Sequence, residues 1–211
     1  MRISCTTLET FRLWLEPDND WMTEEELVAT ITGEFRSTPQ IELGIAFERV
    51  LEDPEKYRVR GGYRANGYSF DDDTMAQPLA LIDRRGVFQV KSTRQYGDCT
   101  VVAKADQIVG AQIGEWKTTT STFAFEKYAQ SYQWRFELDI FGAALATYHV
   151  FELEDHENGV ARVRGIHTFN LFPYAELHQD CCNLLHQFES YVTAKGLDAL
   201  LRERQRAAEA A

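Results

Sequence analysis

Apolar residues near the N-terminus recur at helical spacing, in three stretches that each begin at a capping signal. The first stretch follows a Thr6–Glu9 capping box, and the second follows Thr23 and stops at Gly33. The third has Thr38 as its cap and a proline at its first position. The pattern therefore predicts three helices, the last running from about residue 39 to the residue before Pro54.

The middle of the chain changes to short runs rich in β-branched and aromatic residues. Separated by turn residues, they predict four strands: Arg58–Tyr63, Gly86–Tyr96, Thr100–Val109 and Gln112–Thr118. The acidic run Asp71-Asp72-Asp73 is interpreted as part of a solvated loop.

The C-terminal part predicts one long helix over about Phe125–Thr147, a hairpin and a final helix. The hairpin joins Tyr148–Glu154 to Val160–Phe169 through Glu157-Asn158-Gly159. This order of elements predicts an α/β (α+β) fold in which helices flank a mixed central sheet. We expect one domain covering residues 1–211.

Composition narrows the class of protein. The chain has 211 residues, a net charge of −11 and 44% hydrophobic residues, which is an ordinary globular balance. No apolar run approaches the roughly 20 residues that a membrane-spanning helix needs, and the start lacks a secretory signal. The four cysteines show no Cys-x-x-Cys spacing. These features predict a cytoplasmic protein with reduced thiols and no membrane contact.

The acidic net charge argues against a simple basic nucleic-acid binder. One segment, residues 56–94, is nevertheless locally basic. Two interpretations of its basic side chains stay open: they neutralise phosphates, or they lie on solvated strand faces. The residues concerned are Arg58, Arg60, Arg64, Arg84, Arg85, Lys91 and Arg94.

Two carboxylates are predicted to meet across a hairpin. A glycine at the first position of the two-residue loop Gly110-Ala111 suits a type II′ turn. In that register Asp106 lies opposite Glu115, with Cβ atoms roughly 5 Å apart. Lys117 lies two residues further along the face of Glu115, roughly 7 Å away.

Facing carboxylates repel each other unless a cation lies between them. With no histidine or cysteine beside them in sequence, the oxygen ligands favour Mg²⁺, with Mn²⁺ as a substitute. Asp106, Glu115 and Lys117 together suit metal-assisted phosphodiester hydrolysis. The alternative is a solvent-exposed polar face, where Lys104 and Lys117 balance the two acids.

Two further polar residues are candidates. Gly44, Phe47 and Glu48 share a helix face, and a glycine inside a helix indicates close approach of another backbone or of a ligand. Glu48 therefore points inward, or it is an exposed residue at the edge of the apolar stripe. Gln133 lies on an otherwise apolar helical stripe, where it satisfies a backbone group or reaches the metal site.

These residues resemble the PD-(D/E)XK nuclease superfamily, in its RecB-type and phage-exonuclease branch. The motifs are Gly44-x-x-Phe47-Glu48, Asp106, Glu115-Trp116-Lys117-Thr118 and the downstream segment from Tyr128 to Gln133. The opening ISCTTLETFRLW is also similar to the start of phage-encoded nucleases, and the similarity spans about residues 3–142.

The resemblance implies a role for each matching position. Asp106, Glu115 and Glu48 would bind the metal together with the backbone carbonyl of Trp116, Lys117 would be the catalytic lysine, and Gln133 would assist it. The chain departs from the family's pattern at three positions. Ala105 replaces a proline, Glu48 replaces a frequent histidine, and Glu137 stands four residues after Gln133, where an aromatic is usual. We expect no iron–sulfur cluster.

The sequence thus predicts a restriction-endonuclease-like core and a Mg²⁺-dependent DNA nuclease, more specifically an exonuclease acting on DNA ends. The resemblance implies phage or mobile-element recombination or DNA processing as its context. It also implies DNA, a second copy of the chain or a phage recombination protein as partners. Two alternatives remain: a non-catalytic module that holds DNA ends or a partner on the same fold, and a restriction-type endonuclease.

Overall fold

The computed structural model describes residues 1–17, 22–34, 37–156 and 159–209. Its helices pack on both faces of one mixed β-sheet, which agrees with the predicted fold class. The helices are α1 (Cys5–Trp14), α2 (Glu24–Ile31), α3 (Pro39–Glu52), α4 (Pro54–Tyr57), α5 (Asp72–Leu81), α6 (Phe125–Ala129), α7 (Gln133–Phe141), α8 (Leu177–Ala194) and α9 (Asp198–Glu209).

Within the described residues the sheet has nine strands, of which eight follow the order β1-β6-β7-β8-β9-β4-β3-β2 while β5 pairs with β6. The strands are β1 (Arg2–Ser4), β2 (Arg58–Val59), β3 (Gly62–Ala65), β4 (Tyr68–Asp71), β5 (Val87–Tyr96), β6 (Cys99–Val109), β7 (Gln112–Thr119), β8 (Leu145–His156) and β9 (Val160–Leu171). Strands β5, β6 and β7 form an antiparallel meander, and β7 pairs in parallel with β8.

Two different strands pair with β6 along the same edge. Its start pairs in parallel with β1, and its end pairs with β7. Between these two partners, residues 103–106 of β6 pair with neither of them. The candidate site lies at this gap.

Apolar packing fixes the layers. Along β8, Tyr148 packs toward α6 and α7, whereas Phe151 belongs to the cluster that α3 covers. This alternation is what a strand buried on both faces requires. A third cluster packs α1, α2 and α8 against the start of β6.

Capping confirms two predicted helix starts and corrects one. Thr23 forms a reciprocal capping box with Glu26, and Thr38 caps α3 with a proline at its first position. The predicted Thr6–Glu9 box at α1 is wrong, because Ser4 accepts the backbone N–H of Thr7 at 3.1 Å. The helix therefore begins directly after β1.

The predicted long helix over Phe125–Thr147 is also wrong. Helix α6 ends at Ala129, and α7 begins only at Gln133, whose backbone N–H donates to Ser131 Oγ. The backbone N–H of Tyr132 in this break donates to the carboxylate of Glu9, which is remote in sequence. Gly142, with φ of 64°, ends α7, so the next residues enter β8.

Two other predictions have different outcomes. The acidic run at residues 71–73 is not a loop, because Asp71 caps α5 by accepting the backbone N–H of Thr74 at 2.7 Å. The hairpin of β8 and β9 is confirmed, but residues 157 and 158 of its turn lie outside the described residues. None of the described helices is long and apolar enough to cross a membrane.

Candidate active site

The hairpin of β6 and β7 has the predicted register. Gly110 adopts a φ of 60°, as the first central residue of a type II′ turn requires. Pairing runs from Val109 opposite Gln112 to Gln107 opposite Gly114, and then the strands separate. Asp106 and Glu115 are next in this register, one step beyond the last backbone pair.

The alternation of β6 is interrupted at this point. Ala105 and Ile108 pack against the same apolar cluster although strict alternation would place them on opposite faces. Across the strand pair, Gln89 of β5 lies opposite Asp106 in register and has a left-handed φ of 56°. The two-residue alternation expected of a regular strand is therefore broken between residues 105 and 108, and the irregularity lies at the candidate site.

Both carboxylates are buried. Asp106 is 8% exposed and Glu115 is 2% exposed. Asp106 Oδ2 accepts the backbone N–H of Trp116 at 2.8 Å. The side chain of Asp106 therefore takes the place of a backbone acceptor where the two strands separate. The alternative of a solvent-exposed polar face is therefore wrong for these two residues.

Lys117 and Gln133 join Glu115 in one hydrogen-bonded network. Lys117 Nζ donates to Glu115 Oε1 at 2.6 Å and to Gln133 Oε1 at 2.9 Å. Gln133 Nε2 donates to Glu115 Oε1 at 2.5 Å. The side chain of Lys117 is 29% exposed and reaches the surface, whereas Gln133 is buried. The structure thus brings together three predicted site residues: Glu115 and Lys117 of β7, and Gln133 of α7.

Glu137 is a buried member of this network that was not among the predicted site residues. It lies one helical turn after Gln133, is 0% exposed, and accepts Gln133 Nε2 at 2.8 Å. The sequence signal was the missing aromatic residue at this position. An acid four residues after a buried glutamine shares its helix face.

Burial and neighbouring negative charge raise the pKa of two of the buried acids. The pKa of Asp106 is raised well above its ordinary value by burial and then by the charge of Glu115. Burial and Glu115 likewise raise the pKa of Glu137. Burial alone lowers the pKa of Lys117, but the charges of Glu115 and Asp106 outweigh it and raise the pKa, so the lysine stays an ammonium.

Glu48 lies on α3, half-buried, and its Oε1 is 3.3 Å from the donor Gln89 Nε2. Gln89 also donates to Glu52, so one amide holds two acids of α3. Among the described residues, no three His, Cys, Asp or Glu side chains converge as a metal-binding group. The role of Glu48 as a metal ligand stays a prediction.

Gly44 lets α3 approach β7 closely. A Cβ atom at this position would lie 2.6 Å from Thr118 Oγ1, which is closer than real Cβ contacts. A close approach is therefore present, but its partner is the Thr118 side chain of β7 and not another backbone, as the sequence had offered.

A groove of about 600 Å³ opens where α3 meets β7. Its floor includes Lys117, its α3 side includes Glu48, and a second ammonium comes from Lys127. Four consecutive hydroxyl residues, Thr118–Ser121, continue along the same groove. This combination of ammonium and hydroxyl donors suits a phosphate-bearing ligand.

The basic segment contributes less to the surface than its composition indicates. Three of its arginines form ion pairs with carboxylates, and none of the three lines the groove. The pairs are Arg58–Asp72, Arg85–Asp83 and Arg94–Asp139.

The donor set at Asp106 and Glu115 fits a hard dication. Glu115 Oε2 is buried and has no hydrogen-bond partner among the described residues. Buried carboxylate oxygens without partners are costly unless a cation or a water binds them. Mg²⁺ commonly uses only one or two protein carboxylates and completes its shell with waters and substrate phosphates.

No family model matches the chain, and no curated protein matches it. Several solved structures are similar to it at low sequence identity. The protein SSO0001 has a TM-score of 0.49 at 13% identity, over 88% of this chain and 73% of its own. An alkaline exonuclease from Laribacter hongkongensis, LHK-Exo, has a TM-score of 0.48 at 10% identity, over 100% and 95% of the two chains. A phage-related exonuclease from Haemophilus somnus has a TM-score of 0.43 at 12% identity, over 92% and 96%.

Proposed function

We propose that this protein is a Mg²⁺-dependent DNA nuclease that hydrolyses phosphodiester bonds, with Mn²⁺ as a substitute. The observation that carries the proposal is the buried Asp106–Glu115 pair beside a lysine that reaches a groove. Placing two like charges side by side in a buried site costs stability, because they repel each other. Both carboxylates would instead be stabilised if they held a dication between them.

Each residue of the site has a separate role in the proposed hydrolysis. Asp106 and Glu115 would hold the metal, with Glu48 and the Trp116 carbonyl as further ligands. When bound, the metal supplies an activated water and neutralises phosphate charge. Lys117, hydrogen-bonded to Glu115, donates to the oxygens on which negative charge develops. Gln133 holds that ammonium in place through its carbonyl oxygen.

The preference for DNA ends, and a role in phage or mobile-element recombination or DNA processing, are proposed on the sequence resemblance alone. An exonuclease releases nucleotides from linear DNA and leaves covalently closed circles intact. A restriction-type endonuclease cuts such circles into discrete fragments. The two modes share one chemistry, so the substrate's topology separates them.

End-labelled linear duplex DNA tests the proposal. We expect wild-type protein to release label in Mg²⁺, to stop in EDTA, and to lose about 10² to 10³-fold in rate as Lys117→Ala. Lys195→Ala is the matched control, because this lysine pairs with Glu24 on another surface. Equal degradation by wild type, the EDTA sample and Lys117→Ala would mean that the activity is a contaminant. Release from the 5′ or the 3′ label would give the polarity.

A further inference from the structure

Glu137 lies beneath the network that contains Lys117. It is fully buried, and its sequence neighbours Phe136 and Leu138 are buried core residues as well. Its Oε1 accepts from Gln133, while its Oε2 has no hydrogen-bond partner among the described residues. A leucine or an aromatic residue would fill such a position without burying a carboxylate.

The contacts of Gln133 indicate the role of the Glu137 carboxylate. A lysine ammonium only donates, so the end of the amide that faces Lys117 must be the carbonyl oxygen. The nitrogen end then faces Glu115 and Glu137, which both accept from it. Two acceptors on one end and a donor on the other leave the amide one favourable orientation.

Glu137 is the more buried of the two acceptors, at 0% exposure against 2% for Glu115. Without it, the amide nitrogen would keep only Glu115, whose same oxygen also accepts from Lys117. The ammonium and the amide would then share this one oxygen, and the amide nitrogen would have no second acceptor. A second acceptor outside the proposed metal shell keeps the amide oriented when Glu115 is engaged.

We propose that Glu137 is a positioning residue: it orients the Gln133 amide so that its carbonyl oxygen holds the Lys117 ammonium at the reaction site. The catalytic consequence rests on the proposed nuclease function, whereas the orientation of the amide does not. Two readouts therefore separate the two claims.

The first readout needs no activity. In ¹⁵N-labelled wild-type protein without metal, we expect the Gln133 side-chain amide protons to exchange slowly with solvent. In Glu137→Leu they should exchange at least about tenfold faster, since the amide has lost an acceptor. Glu137→Gln keeps an acceptor oxygen and should keep slow exchange. Equal exchange in wild type and Glu137→Leu would overturn the proposal, even if the protein proves to be a nuclease.

The second readout is turnover on linear DNA. Glu137→Leu should lower kcat about 10 to 100-fold with KM unchanged and with a Tm no lower than wild type, because it removes a buried charge. Glu137→Gln should stay within about threefold of wild-type kcat. Glu126→Leu, at an exposed position of α6, is the matched control and should not change kcat.

Loss of kcat together with Tm in Glu137→Leu, or equal loss in Glu137→Gln, would show a role in packing or charge and would overturn positioning. Absence of turnover in wild type would refute the nuclease proposal, while the exchange experiment would still decide the role of Glu137.

Discussion

Replacing Asp106 by asparagine tests the metal site without any assay of catalysis. Asparagine keeps the size of the side chain and an oxygen that can accept the Trp116 backbone N–H. It removes one of the two buried charges that we propose to bind the dication. The change therefore separates metal binding from folding.

The expected size follows from linkage. A ligand present at 100 times its Kd stabilises the folded state by about 2.7 kcal/mol. For a chain of 211 residues, each kcal/mol raises Tm by about 2–4 °C, so saturating Mg²⁺ should raise the wild-type Tm by about 5–11 °C. Asp106→Asn should lose most of this shift. In EDTA it should be at least as stable as wild type, because the repulsion with Glu115 is gone.

Thermal unfolding in EDTA and in a series of MgCl₂ and MnCl₂ concentrations measures both quantities. Asp98→Asn is the matched control, since Asp98 is exposed in the turn between β5 and β6 and its side chain is far along the strand from residue 106. It should keep the full metal-dependent shift. The reasoning is refuted if wild type and Asp106→Asn gain the same Tm from Mg²⁺, or if wild type gains none.

Two more predictions concern pH and backbone strain. Burial, and then the charge of Glu115, raises the pKa of Asp106 and Glu137 in the folded protein, so folding is coupled to proton uptake. The free energy of unfolding in EDTA should therefore increase as the pH falls from about 7 toward 5. Urea unfolding across this range measures the trend, and saturating Mg²⁺ should weaken it; rising stability with rising pH in EDTA would contradict the prediction. At Gln89, whose φ is 56°, glycine should be more stable than alanine by about 1 kcal/mol, although alanine is the better residue inside ordinary strands. Equal urea midpoints for Gln89→Gly and Gln89→Ala would show that the left-handed conformation carries no strain.

The parts of the site that depend on local chemistry were predictable from sequence. The glycine at residue 110 determines the turn type, and the turn determines which residues of β6 and β7 face each other. The caps of α2 and α3 are likewise local signals. These interactions join residues only a few positions apart, so no knowledge of the rest of the fold is needed.

The parts that depend on distant contacts were not predictable. The break between α6 and α7 is held by Glu9, which accepts the Tyr132 backbone N–H from the other end of the chain. Backbone pairing of β6 with β7 ends at Gln107, and the start of β6 pairs in parallel with β1, a long-range pairing that has no local signature. Glu137 was visible only as a departure from a pattern, because burial of an acid depends on what packs around it.

The site also has an energetic cost that the rest of the fold must offset. The buried acids of the described residues are Asp106, Glu115 and Glu137, and the ammonium of Lys117 is the cation within hydrogen-bond distance of any of them. Replacing buried charges of this kind by apolar residues is often neutral or stabilising by about 1–4 kcal/mol. Stability therefore does not explain why this cluster lies inside an otherwise apolar layer. The dication that we propose would explain it, because the excess negative charge of these acids would then contribute to metal binding, beside a lysine that lines the groove.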